Sequence, residues 1–251
     1  MTGLTALLKK EFLEQYRTHR LLIVAAVFAL FGLGIPMLVK FGPELAKASA
    51  DGILVEIPPP TAIQAFTEFA ASIGQLGIVV AVMAAMGAVA NELKHGTAIT
   101  TLSKPISRAA FVTAKLIAIS FTFLVGLSVA ASFCYFYTTG LIGEASAIAF
   151  LQFNLLMAVL LVFCLAVTVF FSCLFKSSVA AGGLAIAVII GQMLLAGIPV
   201  VGDYLPGKLL AWGTGIISGT TDPYWGALVV TVGLSVAAVY LGQYFLKNRE
   251  I

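Results

Sequence analysis

FLQFNLLMAVLLVFCLAVTVFFSCLF, residues 150–175, carries no Asp, Glu, Lys or Arg. A membrane-crossing helix needs about 20 predominantly apolar residues. This run is longer than that, so it is expected to tilt or to project beyond the hydrocarbon core. On either side of it, residues 21–39, 68–90, 111–139, 179–201 and 225–246 are also long and apolar enough to cross. Of the 251 residues 61% are hydrophobic and only 10% charged, with a mean hydropathy of +1.07, whereas a soluble domain carries about 25% charged residues. A soluble enzyme with a membrane tail is therefore excluded, and the fold class is an all-α membrane protein with six transmembrane helices. The first apolar run begins at Leu21, too late for a cleavable secretory signal, and is read as a retained anchor. Gly182, Gly183, Gly191 and Gly197 in the fifth run suit close helix packing better than a hinge.

With six spans both termini lie on one side, and the basic residues choose the side. Lys9, Lys10, Arg17, Arg20, Lys94, Lys104, Arg108, Lys115, Lys176, Lys247 and Arg249 fall on it, leaving Lys40, Lys47 and Lys208 for the other. Of the 14 Lys and Arg residues, 11 thus lie with the termini, so both termini are expected in the cytosol. The net charge of +3 gives no reason to expect nucleic acid as a partner.

Residues 4–20 precede the first span. Leu4, Leu7, Leu8, Phe12 and Tyr16 recur at helical spacing, while Lys9, Lys10, Glu14 and Arg17 occupy much of the remaining circumference. An amphipathic helix lying in the inner membrane interface is predicted, with its apolar side toward lipid. The alternative is a cytosolic extension of the first span. On the outer side, residues 40–67 form a long connection containing Pro58, Pro59 and Pro60, which predicts an extended stretch. Residues 202–224 are moderately apolar but broken by glycine, and are read as an outer or re-entrant segment.

Catalytic chemistry finds little to use. Cys134, Cys164 and Cys173 lie within apolar runs without metal-ligand spacing, and are expected to be small buried residues. His19 and His95 are the only histidines, and HExxH, G-x-S-x-G and Walker A patterns are all missing. No catalytic residue, cofactor site or metal site is assigned to this chain, and any ATP must be handled elsewhere. Glu68, at the edge of the second span, is the one candidate acid at membrane depth and is placed in the outer headgroups. Gln75, Asn154, Ser172 and Gln192 are neutral and suit interhelical hydrogen bonds.

The connection over residues 91–110 reads NELKHGTAITTLSKPISRAA. Gly96 breaks the helix leaving the membrane, Thr97 to Leu102 has room for one or two helical turns, and Pro105 ends that piece. Ser107 is placed to cap the next helix. A short helix hung between two spans transmits a push from a cytosolic partner to both.

The order Glu92, Gly96-Thr97, Leu102, Pro105, Arg108, Lys115 closely resembles the first cytosolic loop of ABC-2 type transporter permeases. Lys10-Glu11-Phe12, with Arg17 and Arg20 before the first span, is similar to the N-terminal segment of that family. The resemblance implies one transmembrane half of an ATP-binding cassette transporter in the cytoplasmic membrane of a prokaryote. It would pair with a second copy or a related permease and with two cytosolic ABC ATPase subunits, which would bind the ATP and magnesium. It implies a coupling role for Glu92, Gly96, Thr97, Leu102, Pro105, Arg108 and Lys115. In that role Leu102 is an apolar anchor, Arg108 pairs with lipid phosphate or an ATPase acid, and Glu92 forms a salt bridge with the N-terminal helix. The competing classes are a gradient-driven carrier or channel, which would need an ion-binding group at membrane depth, and a non-transporting membrane scaffold for an ATPase. The substrate is not readable from these residues.

Overall fold

The computed structural model describes residues 2–49, 58–96, 107–220 and 222–248, and among them there is no β-strand. The chain opens with α1 (Thr2–Arg17) and turns at His19, whose φ is 54°, into α2 (Arg20–Ser49). The second apolar rod has three pieces: α3 (Ala62–Ser72), a π-helical turn (Ile73–Gly77) and α4 (Ile78–Ala85). A break over residues 86–89 then leads to α5 (Ala90–His95). There follow α6 (Arg108–Leu141), α7 (Ala147–Leu174), α8 (Ser178–Leu195), a 3-10 turn (Gly202–Tyr204), α9 (Lys208–Ser218) and α10 (Trp225–Lys247).

Among the described residues, six helices are long and apolar enough to cross a membrane: Arg20–Leu45, Ala62–His95, Arg108–Leu141, Ala147–Leu174, Ser178–Leu195 and Trp225–Lys247. Their ends differ from the hydropathy runs for local reasons. The second begins at Ala62 because the Thr61 hydroxyl accepts from the Gln64 N–H at 3.2 Å and caps the helix. The fifth stops at Leu195; Pro199 supplies no N–H, and a residue preceding proline is pushed out of the helical region. Between the fifth and sixth, α9 has 11 residues, about 16 Å of helix against a hydrocarbon core of about 30 Å.

α7 is the centre of the molecule, with α4, α6, α8, α9 and α10 packed around it. Its sequence is apolar all round, the pattern of a helix buried on every side. Leu160, Leu161, Cys164, Leu165, Thr168 and Cys173 of α7 are buried, as is Cys134 of α6. Phenylalanines tie α3 to the start of α7: Phe66 stacks on Phe150 at 4.1 Å between centroids. α2 lies along α6, and a Cβ at Gly32 would overlap the Ala130 carbonyl, so only glycine permits that approach.

Of the neutral polar residues of the spans, Ser172 and Gln192 bond between elements, whereas Asn154 donates to the Phe150 carbonyl of its own helix at 2.8 Å and Gln75 is exposed. The Ser172 hydroxyl of α7 accepts from the Val89 and Ala90 N–H groups at 3.0 and 2.9 Å and donates to the Met86 carbonyl at 2.9 Å. It thereby satisfies the backbone freed by the break between α4 and α5, where no water is at hand. The Gln192 side-chain oxygen accepts from the Gly207 N–H at 2.8 Å, tying α8 to the start of α9.

Ser172→Ala leaves two buried N–H groups without an acceptor and is expected to lower stability by about 1–3 kcal/mol. Ser128→Ala, at an exposed site bonded only to its own helix, is expected to be neutral. Thermal melting of the purified protein in a mild detergent compares them; equal melting temperatures would remove the role given to Ser172.

Candidate functional site

Thr97, Leu102 and Pro105 lie outside the described residues, but both ends of the connection that carries them are described. At the entry, α5 ends on Gly96, whose φ of 72° is the left-handed conformation that glycine adopts without strain. At the exit, the Ser107 hydroxyl accepts from the Ala110 N–H at 3.1 Å and caps α6.

Two turns into α6, Lys115 is almost wholly buried, with a side-chain exposure of 4%. Its ammonium donates to both carboxylate oxygens of Glu11 on α1, at 3.1 and 3.2 Å, and to Glu92 on α5 at 2.5 Å. The Phe111 ring, 5.1 Å from the Lys115 nitrogen to its centroid, closes the cation from one side. Lys10 reaches Glu11 at 3.4 Å, Glu92 at 3.8 Å and Glu14 at 4.0 Å, so the network alternates two cations with its carboxylates. An ammonium so placed requires this company, because an unpaired buried charge is prohibitively costly.

The network joins the N-terminal helix, the helix entering residues 97–106 and the helix leaving them. The salt bridge between Glu92 and the N-terminal helix is present through Lys10 and, indirectly, through Lys115 and Glu11. Sequence reasoning missed Glu11 and Gln15 as inward-facing groups. With Leu7 they form the buried face of α1, one residue every fourth position. The only available signal was that spacing, and the apolar stripe drew attention away from it. That stripe is itself divided: Leu4 and Leu8 pack against the protein, and the Phe12 ring meets Phe121 edge-on at 5.2 Å. Tyr16, by contrast, is 74% exposed.

Arg108 takes a place inside the chain that the loop reading did not assign. One guanidinium nitrogen donates to the Leu246 and Lys247 carbonyls, at 2.5 and 2.8 Å. These are last-turn carbonyls of α10, which have no partner within the helix and form its negative end. The Gln243 amide adds a second tie from α10 to Thr113 of α6 at 3.1 Å. The helices on either side of residues 97–106 are thus fastened, α5 and α6 to α1 by Lys115 and α6 to α10 by Arg108.

Comparison with known proteins gives two findings. The model of a family described as ABC-2 family transporter protein matches residues 5–211. The uncharacterized transmembrane protein YxlG of Bacillus subtilis (strain 168) is 24% identical over 149 residues, 58% of this chain and 58% of its own length. This match therefore spans a little over half of that relative.

Lys115→Met leaves the Glu11 and Glu92 carboxylates with only the part-exposed Lys10 as counter-ion and is expected to destabilise by about 3 kcal/mol. Lys10→Ala, at a side chain 44% exposed, is expected to cost at most about 1 kcal/mol. The double variant Glu11→Leu/Lys115→Met should melt above Lys115→Met alone. A Lys115→Met protein that melts with the parent would show that the network does not hold these helices together.

Proposed function

The chain belongs to the ABC-2 transporter family, and from that premise we propose that it is the permease half of a transporter powered by ATP hydrolysed on separate cytosolic subunits. The observation that supports the proposal is the bracing of α5 and α6, the helices that flank residues 97–106. A connection whose two ends are fastened by a buried ion network and a capped helix passes on an applied force instead of absorbing it. In the proposed complex two ATPase subunits dock on this segment, one on each permease, with Leu102 as the apolar anchor. Thr97 and Pro105 shape the docked turn, and ATP with its magnesium sits on the ATPases. The resident membrane is the cytoplasmic membrane of a prokaryote, with both termini and residues 97–106 in the cytosol and α9 on the outer side.

The mechanism follows from the connections. Closure of the ATPases pushes the docked segment; Glu92 and Lys115 carry the push together into α5 and α6, and Glu11 carries it into α1. Arg108 extends it to the end of α10. The break over residues 86–89 lets α5 turn relative to α4 while the Ser172 hydroxyl holds the freed backbone groups. Gln64, Glu68 and Gln75 are exposed along the outer half of the second span, and polar side chains there avoid lipid. They are read as facing a second permease copy and the path between the two. Cargo moves only if it binds the two arrangements of that path with different affinity.

Affinity purification of the full chain from its native membrane, in mild detergent, is expected to recover a stoichiometric protein with a Walker A motif. Leu102→Asp and deletion of residues 96–102 are expected to insert normally and to lose that partner. Reproducible recovery of the intact chain alone, or normal co-purification by both variants, would refute the docking assignment.

A further inference from the structure

A cavity between the first three spans lies apart from the loop framework and from the polar stripe of the second span. It has a volume of about 350 Å³ and lies between α2, α4 and α6, with the end of α1 at its mouth. Its walls are apolar: Ile23 and Val27 of α2, Val80 and Met83 of α4, Ile119 and Phe123 of α6. From Arg20 to Val27 it runs roughly 10 Å along the helix axis, most of the depth of one leaflet of roughly 15 Å. Ile23 and Met83 are 59% and 60% exposed, so the cavity opens sideways toward the membrane interior.

Two polar groups stand at its mouth. Gln15 is 6% exposed, lines the cavity, and its carboxamide has no hydrogen-bond partner among the described residues. An unpartnered carboxamide at the mouth of an apolar cavity favours a ligand that brings a polar group there. Arg20 is exposed at the first turn of α2, with no carboxylate in ion-pair distance among the described residues. A cation at the positive end of a helix dipole favours an anion. The shape is thus an apolar slot in the membrane with amide and guanidinium donors at its headgroup end.

We propose that this cavity binds one acyl chain of an anionic phospholipid from the leaflet next to the N-terminus, with its phosphate held by Arg20 and Gln15. The volume falls within the usual range for small-ligand sites, about 300–1,000 Å³. The inference requires only that the first span crosses the membrane, and it stands whether or not the chain works with an ATPase. The bound chain fills the space between the first three spans one helical turn above Lys115, and so completes the packing of the braced end of the molecule.

The test uses the full chain in nanodiscs containing phosphatidylglycerol or phosphatidylcholine, each with a photoactivatable diazirine on the acyl chain, and peptide mass spectrometry after illumination. Labelling of residues 20–27 and 79–84 is expected to exceed that of the exposed α10 face around Val229 and Val236. It should be about fivefold stronger with phosphatidylglycerol, the preference that one charge contact supplies. Val27→Trp fills the slot and is expected to remove this labelling while leaving that on α10 intact. Arg20→Gln, at an exposed position, is expected to abolish the headgroup preference and tests the site even if Val27→Trp fails to fold. Labelling no stronger than on α10, labelling unaffected by Val27→Trp in folded protein, or a headgroup preference retained by Arg20→Gln would overturn the proposal.

Discussion

A lysine ammonium buried among three helices fixes how α1, α5 and α6 pack together. Lys115 cannot be left in that position unless Glu11 and Glu92 are beside it, so α1, α5 and α6 are held in one arrangement. Such a triad adds little net stability compared with apolar packing, but departures from it are strongly disfavoured because each would strand a charge. The consequence is geometric specificity where the chain's most informative sequence lies. Arg108 extends the same principle to α10 through the unpaired carbonyls of its last turn.

The rest of the bundle relies on different physics. Around α7 there is no charge to enforce a geometry, and packing of large apolar side chains does the work, with Phe66 and Phe150 at one end and Leu160, Leu161 and Leu165 in the middle. Neutral polar groups are spent on backbone irregularities: Ser172 on the break in the second span and Gln192 on the turn into α9. The two strategies meet at residues 86–90, where a hydrogen-bonded break separates an apolar half from an ionic half of the same rod. A motion of the ionic end can then be accommodated there without unpacking α7.

How much of this was legible depended on the range of the interaction concerned. Six apolar runs reveal six apolar helices because composition over about 20 residues is enough to meet the demands of a bilayer. The cap at Ser107 and the left-handed stop at Gly96 were equally readable, since each depends on its immediate neighbours. Helix ends at Ala62 and Leu195 were displaced because hydropathy ignores the Thr61 cap and the veto of Pro199, both of which are written in the sequence. The pairing of Lys115 with Glu11 was not readable, because 104 residues separate them and no local spacing announces it. Gln15 was hidden for the same reason: its burial is decided by α6, not by its neighbours on α1.

The clasp between Arg108 and the end of α10 also bears on how the molecule is made. Its two halves are 138 residues apart, and at the usual pace of the ribosome the second emerges roughly 7 to 30 seconds after the first. Glu11, Glu92 and Lys115 are all available early, so the nascent chain can set its ionic knot while four spans are still being threaded into the bilayer. The guanidinium, however, waits for the last turn of α10. Synthesis cut short anywhere before residue 246 leaves it unclasped, because the Leu246 and Lys247 carbonyls are then missing.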